Sequence, residues 1–183
     1  MLGRPSYWPR SRRRWLVCLD LQRDYVIPGR PQYAAGHTEA ARACARVLQL
    51  ARRERWRVVH SQVSRDGCAR NMFAAPIEEL RPLVSEPVYF RRGLSAFANP
   101  GFADELSAAE GEEVFLVGFS LPDSCLATAL AGHDHGVAFT LVEDAVGTGD
   151  APADAAAAHT LLRRYVNLQS SARLETRELE VAP

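Results

Sequence analysis

Strands that alternate with helices along most of the chain predict an α/β fold: a three-layer sandwich with a mostly parallel central sheet flanked by helices. Two observations carry this reading. Short continuous apolar runs, Trp15–Leu19 and the stretch within Glu113–Val117, are the mark of strands buried on both faces. Between them, Thr38–Glu54 sets Ala40, Ala41, Cys44, Val47, Leu48 and Ala51 on one helical face, with Arg42, Arg46, Gln49 and Arg53 opposite.

The elements then follow in chain order. Trp15–Leu19 is the first strand, and Pro28, Gly29 and Pro31 mark a loop after it. Thr38 is the expected N-cap of the first helix. Trp56–His60 reads as a second strand. Residues 63–86 read as irregular, with a short helical piece near Ile77–Leu80, and Val88–Phe90 as a further short strand. Glu113–Val117 ends at Gly118, and Pro122 then opens a helix to Ala131, where its missing N–H costs nothing. Val137–Val142 is another strand, and Asp150 is the expected cap of a helix carrying Ala158, Leu161, Leu162, Tyr165 and Leu168. Residues 173–180 read as a last strand or an extended tail.

The 183 residues fit one domain, residues 15–183, after a basic leader at residues 1–14 that is expected to be solvated and flexible. Ser11-Arg12-Arg13 before Trp15-Leu16 resembles a twin-arginine export signal, but Asp20 ends the apolar run well short of a signal sequence's ~7–15 apolar residues. With 22 basic and 22 acidic side chains the chain lacks the basic excess of a nucleic-acid binder. No apolar run approaches the ~20 residues that span a bilayer. Cys18, Cys44, Cys68 and Cys125 are far apart and form neither a C-x-x-C pair nor a zinc pattern, so free thiols in a cytoplasmic protein without metal or cofactor are expected. Every basic residue is Arg, which excludes any mechanism that needs a lysine amine.

In such sheets ligands sit beyond the carboxyl ends of the strands. Asp20, Gln22 and Asp24 follow the first strand; Gly118-Phe119-Ser120 follows the Glu113–Val117 strand; Asp144 closes a later one. Cys125 falls in the first turn of a helix, where the macrodipole and unpaired N–H groups favour thiolate and can hold an oxyanion. A nearby Asp would serve as its base. A small buried hydrophobe is the alternative reading of the same residue. His133-Asp134-His135 reads as a solvated helix end, His37 and His159 as surface or packing, and His60 as able to reach the site. Tyr25, Phe97 and Trp56 or Tyr89 are pocket candidates that equally suit the core.

Four segments in order resemble the isochorismatase-like cysteine hydrolases: Leu16-Val-Cys-Leu-Asp20-Leu-Gln22-Arg-Asp24-Tyr25; Arg91-Arg-Gly-Leu-Ser95-Ala96-Phe97; Val117-Gly118-Phe119-Ser120-Leu-Pro-Asp-Ser-Cys125-Leu-Ala-Thr128-Ala129; and Gly136-Val137 through Val142-Glu143-Asp144-Ala145. The resemblance implies an amide, carbamoyl or ureido C–N hydrolase with Cys125 as nucleophile and Asp20 as base. It implies a thioester intermediate, a small-molecule substrate, and a homodimer or homotetramer. Gln22, Phe97, Ser120 and Leu121 become substrate or oxyanion candidates, and a non-proline cis peptide is expected near Phe119-Ser120. Two departures stand out. Arg91 occupies the family's lysine position, and Gly118 to Cys125 is one residue longer than the family pattern. No Asp-x-His set follows the second strand, which disfavours a nicotinamidase. A binding protein without turnover, or an isochorismatase-type vinyl-ether hydrolase, remains the alternative.

Overall fold

The computed structural model describes residues 13–64 and 74–181; residues 1–12 of the leader and Cys68 lie outside the described residues. Six strands form one parallel sheet in the order β3-β2-β1-β4-β5-β6. They are β1 (Arg14–Leu19), β2 (Arg57–Val63), β3 (Val88–Arg91), β4 (Glu113–Phe119), β5 (Phe139–Gly147) and β6 (Asn167–Gln169). The helices are α1 (Gly36–Arg53), α2 (Pro100–Ser107), α3 (Leu126–Asp134), α4 (Pro152–Leu162) and α5 (Ser171–Val181).

The period-2 alternation of β1 divides the core. Trp15, Val17 and Leu19 pack on one face with Phe102 and Leu106 of α2, Ala129 of α3, and Ala155, Ala158 and Leu162 of α4. Leu16 and Cys18 pack on the other with the apolar stripe of α1 and Leu174 of α5. Both faces of the central strands are thereby dry, and their sequences read as continuous apolar runs for that reason.

Several boundaries differ from the sequence expectation. β2 and β5 run further than their apolar stretches because polar residues inside them, His60-Ser61-Gln62 and Glu143-Asp144, break the pattern without breaking the strand. Residues 173–180 are helical and belong to α5, whose first turn is held by Asp144: its carboxylate accepts from Ser171 N at 2.7 Å and from the Ser171 hydroxyl. Asp144 therefore lies within β5 and docks a helix. α2 went unread; Asn99 caps it by accepting from Phe102 N at 3.2 Å. Thr38 lies inside α1, whose N-cap is Ala35, and Asp150 does not cap α4: its carboxylate accepts from Ala35 N at 3.2 Å, capping α1 across the sequence. Leu161 and Tyr165 are partly exposed and Leu168 belongs to β6, so the apolar face expected of α4 is cut short.

Gly118 has φ +129°, and a Cβ there would stand 2.0 Å from the Leu19 carbonyl oxygen. Only glycine lets β4 approach β1 this closely at the strand ends. A second fastening lies at Glu86. It accepts both Arg52 Nε and Nη2 at 2.8 Å, pairs with His60 Nε2 at 3.0 Å, and accepts Leu83 N at 2.9 Å. Burial raises its carboxyl, but the bonds from Arg52, His60 and Leu83 outweigh that and hold it well below the usual carboxylate range. His60 thus faces α1 and Glu86, not the strand-end site. A depressed folded value means the stabilisation is complete above the unfolded glutamate value of about 4.3 and is lost as pH falls through the folded one. In thermal melts, wild type is expected to exceed Glu86→Gln by about 1–3 kcal/mol near neutral pH. The gap should shrink steadily below about pH 4; a constant gap contradicts the assignment.

Candidate active site

Asp20 follows β1 directly and has φ +51°, a left-handed conformation that aspartate tolerates better than most residues. Its amide donates to Ser61 O at 2.9 Å, which seats the turn on β2. The buried carboxylate then faces the strand ends, and its Oδ1 accepts Val63 N at 2.7 Å.

Arg91 ends β3 and reaches across β2 to this carboxylate. The side chains of the pair have no solvent exposure. Arg91 Nη1 donates to Asp20 Oδ1 at 2.9 Å and to Ser61 Oγ at 3.2 Å. Its Nη2 donates to Asp20 Oδ2 at 2.7 Å and to Ser124 Oγ at 2.8 Å. Its Nε donates to Leu94 O at 3.1 Å. A guanidinium has five N–H donors, and all five are engaged. Arg91 therefore has no donor left for a substrate carboxylate, and Arg92 is exposed.

The Ser124 contact fastens this pair to the turn that carries Cys125. Leu121–Cys125 is a π-helical turn leading into α3, and Cys125 N donates to Ser120 O five residues back at 3.0 Å. The expected α-helical start at Pro122 is corrected accordingly. So is the role of the Cys125 amide, which is occupied within the turn and is not an open oxyanion donor. The Phe119-Ser120 peptide is cis. Ser120 is buried, its hydroxyl donating to Asp123 Oδ2 at 2.6 Å, and Leu121 packs in the core.

Cys125 itself is fully buried among Leu121, Ala129 and their core neighbours. Burial pushes its thiol well above the ordinary value; Asp20 and Asp123 push the same way and Arg91 opposes them. Burial thus opposes the thiolate that a helix-head position favours. Cys18 and Cys44 are buried packing residues, Cys44 Sγ donating to Ala145 O at 3.0 Å.

The remaining candidates divide. Gln22 is buried at the rim; its Nε2 donates to Ala74 O at 2.8 Å and Val63 O at 3.3 Å, while its Oε1 has no partner among the described residues. Phe97 is a packing residue, edge-on to Phe102 and stacked on His135 at 4.6 Å. Trp56 stacks on Phe115 and Tyr89 packs edge-on to Phe102. His133 meets Tyr165 edge-on, and His159 pairs with Glu143. Two residues that sequence reasoning left unassigned matter more. Ser61 and Ser124 complete the shell of Arg91. Thr128, one turn past Cys125, accepts Ala96 N at 2.9 Å and so joins the Arg91 segment to α3.

An all-parallel α/β sandwich with an Asp–basic pair and a helix-head cysteine at its strand ends is the architecture of an isochorismatase-like domain. Residues 14–173 match the Isochorismatase domain, and the chain belongs to this family of hydrolases. It is 29% identical over 156 residues to the maleamate amidohydrolase of Pseudomonas putida, covering 75% of this chain and 73% of that protein. Its fold is similar to an isochorismatase family protein from Desulfovibrio vulgaris, with TM-score 0.80 and 22% identity, covering 92% of this chain and 99% of that one. It is also similar to N-carbamoylsarcosine amidase from Thermoplasma acidophilum, with TM-score 0.73 and 18% identity, covering 87% and 96%.

Two measurements check this geometry. Arg91→Ala leaves a buried carboxylate uncompensated and is expected to cost about 3–5 kcal/mol in denaturant unfolding; a loss below about 1 kcal/mol is incompatible with the five bonds described. Under native conditions near neutral pH, iodoacetamide is expected to modify Cys125 no faster than Cys18 or Cys44, followed by peptide mass spectrometry. Selective rapid modification of Cys125 contradicts a neutral buried thiol.

Proposed function

We propose that this chain is a cysteine hydrolase that opens the C–N bond of a small amide, carbamoyl or ureido compound. The observation that carries the reading is the placement of Cys125 next to Ser124, which is hydrogen-bonded at 2.8 Å to the guanidinium holding Asp20. The amide-cleaving relative in Pseudomonas putida supports the bond class.

Asp20 Oδ1 already accepts two donors, whereas Oδ2 accepts one. The free lone pair of Oδ2 is the acceptor for the thiol proton. Cys125 Sγ then attacks the carbonyl carbon, the C–N bond breaks, and the amine leaves with the proton returned from Asp20. Water, deprotonated by Asp20, hydrolyses the thioester and restores the thiol. Arg91 serves as a fixed charge that orients Asp20, not as a proton donor. The thiol is deprotonated only when substrate and base are both in place, in keeping with its neutral resting state.

A second reading is favoured by a specific observation: the sulfur is fully buried and Arg91 has no spare donor. On this reading the chain binds a metabolite without turning it over. Screening against a panel of monoamides, ureides and carbamoyl compounds separates the two. Turnover is expected in wild type and should fall by roughly three orders of magnitude or more in Cys125→Ala. Activity that survives this substitution refutes the thioester route. Absence of any turnover favours the silent binder.

A further inference from the structure

Two buried hydroxyls bracket Cys125 on its helix. Ser124 precedes the cysteine and Thr128 lies one turn beyond it, and their four-residue spacing makes them neighbours on one helical face. Ser124 is 4% exposed and Thr128 0%. Leu121, Cys125 and Ala129 around them belong to the apolar core. A hydroxyl in such surroundings is costly unless it is hydrogen-bonded. Both are bonded to the same segment: Ser124 Oγ accepts Arg91 Nη2 at 2.8 Å, and Thr128 Oγ1 accepts Ala96 N at 2.9 Å. That segment is also tied to itself. Arg91 Nε donates to Leu94 O at 3.1 Å, Ser95 Oγ accepts Phe97 N at 3.1 Å, and Asn99 Nδ2 donates to Phe90 O at 2.7 Å. A loop closed in this way shifts as one body.

One bond between such a body and a helix is a pivot; two bonds a turn apart fix orientation as well. The guanidinium at one of these bonds also holds both oxygens of Asp20. The loop therefore carries the register of the carboxylate to the head of the cysteine's helix. We propose that Ser124 and Thr128 are positioning residues that act as one clamp, setting Cys125 Sγ against Asp20 through the Arg91 segment. Neither exchanges a proton with the thiol. Their effect is geometric, and a misplacement of about 1 Å is enough to slow a reaction roughly a hundredfold. For its effect on rate the proposal rests on the hydrolytic reading above, whereas the clamp itself is read without substrate.

The test combines amide hydrogen exchange by NMR with steady-state kinetics on the full chain and on Ser124→Ala, Thr128→Val and Thr128→Ser. In Ser124→Ala the acceptor for Ala96 N is untouched, yet the clamp requires exchange at the Ala96 amide to accelerate at least about fivefold more than at Leu116 of β4. On an amide that wild type turns over, Ser124→Ala and Thr128→Val should each lose roughly tenfold to a hundredfold in kcat with KM within about twofold. Thr128→Ser keeps the acceptor and should restore kcat to within about threefold of wild type. Thr128→Val leaves a buried amide unpaired; if it does not fold, Ser124→Ala and Thr128→Ser carry the test. The proposal is overturned if Ala96 exchange in Ser124→Ala accelerates no more than that of Leu116, if kcat is unchanged in Ser124→Ala, or if Thr128→Ser is as slow as Ser124→Ala. If wild type turns over nothing, the hydrolytic reading fails by itself, and the Ala96 exchange decides the clamp.

Discussion

The buried ion pair between Asp20 and Arg91 sets the terms for everything around it. Two opposite charges have been withdrawn from water, which is tolerable only where geometry is good and every remaining donor and acceptor is matched. The protein meets that demand with groups from several elements: the end of β1, Ser61 and the Val63 amide of β2, Leu94 beyond β3, and Ser124 of the π turn. The strand order makes this a cross-sheet brace, because β2 lies between the two charged residues and contributes the serine that bridges them. Arginine suits this place for a geometric reason. A planar fork with five donors spans a carboxylate and two hydroxyls at once, which the three donors of an ammonium group do not.

The same pair controls the electrostatics of Cys125. The carboxylate disfavours thiolate and the guanidinium favours it, and dry surroundings side with the carboxylate. Asp123 adds to the carboxylate's side of this balance. A neighbouring cavity, between the loop before α1 and the loop joining β5 to α4, has the opposite character, with Asp123, Asp150 and Asp154 beside tyrosine rings in its walls. Positive charge is locked inside the site while negative charge lines its flank.

The sheet was legible where burial on both faces leaves apolar runs, as at Leu16–Leu19 and Val114–Val117. Strand length was not, because Ser61 and Asp144 are polar residues held in place by long-range bonds absent from any local pattern. α5 was misread for the same reason: its first turn is stabilised by Asp144, far away in sequence. In the site, the positions of Asp20, Arg91 and Cys125 were readable from motif order. The saturation of Arg91, the occupied Cys125 amide and the neutral thiol were not, since each depends on who lies across the sheet. The π turn over Leu121–Cys125 was not legible either, because Pro122 reads as the ordinary opening of an α-helix.

The bond from Ala35 N to Asp150 joins the start of α1 to the β5–α4 loop. Each therefore acts as a clasp on the other: when residues 148–151 lift, the first turn of α1 loses its cap and is free to fray. His37 sits one residue into that turn, so loosening of the loop also releases the imidazole floor beneath it. Breathing motions at this corner are thus cooperative, coupling a helix end, a loop and an aromatic cluster that are remote along the chain.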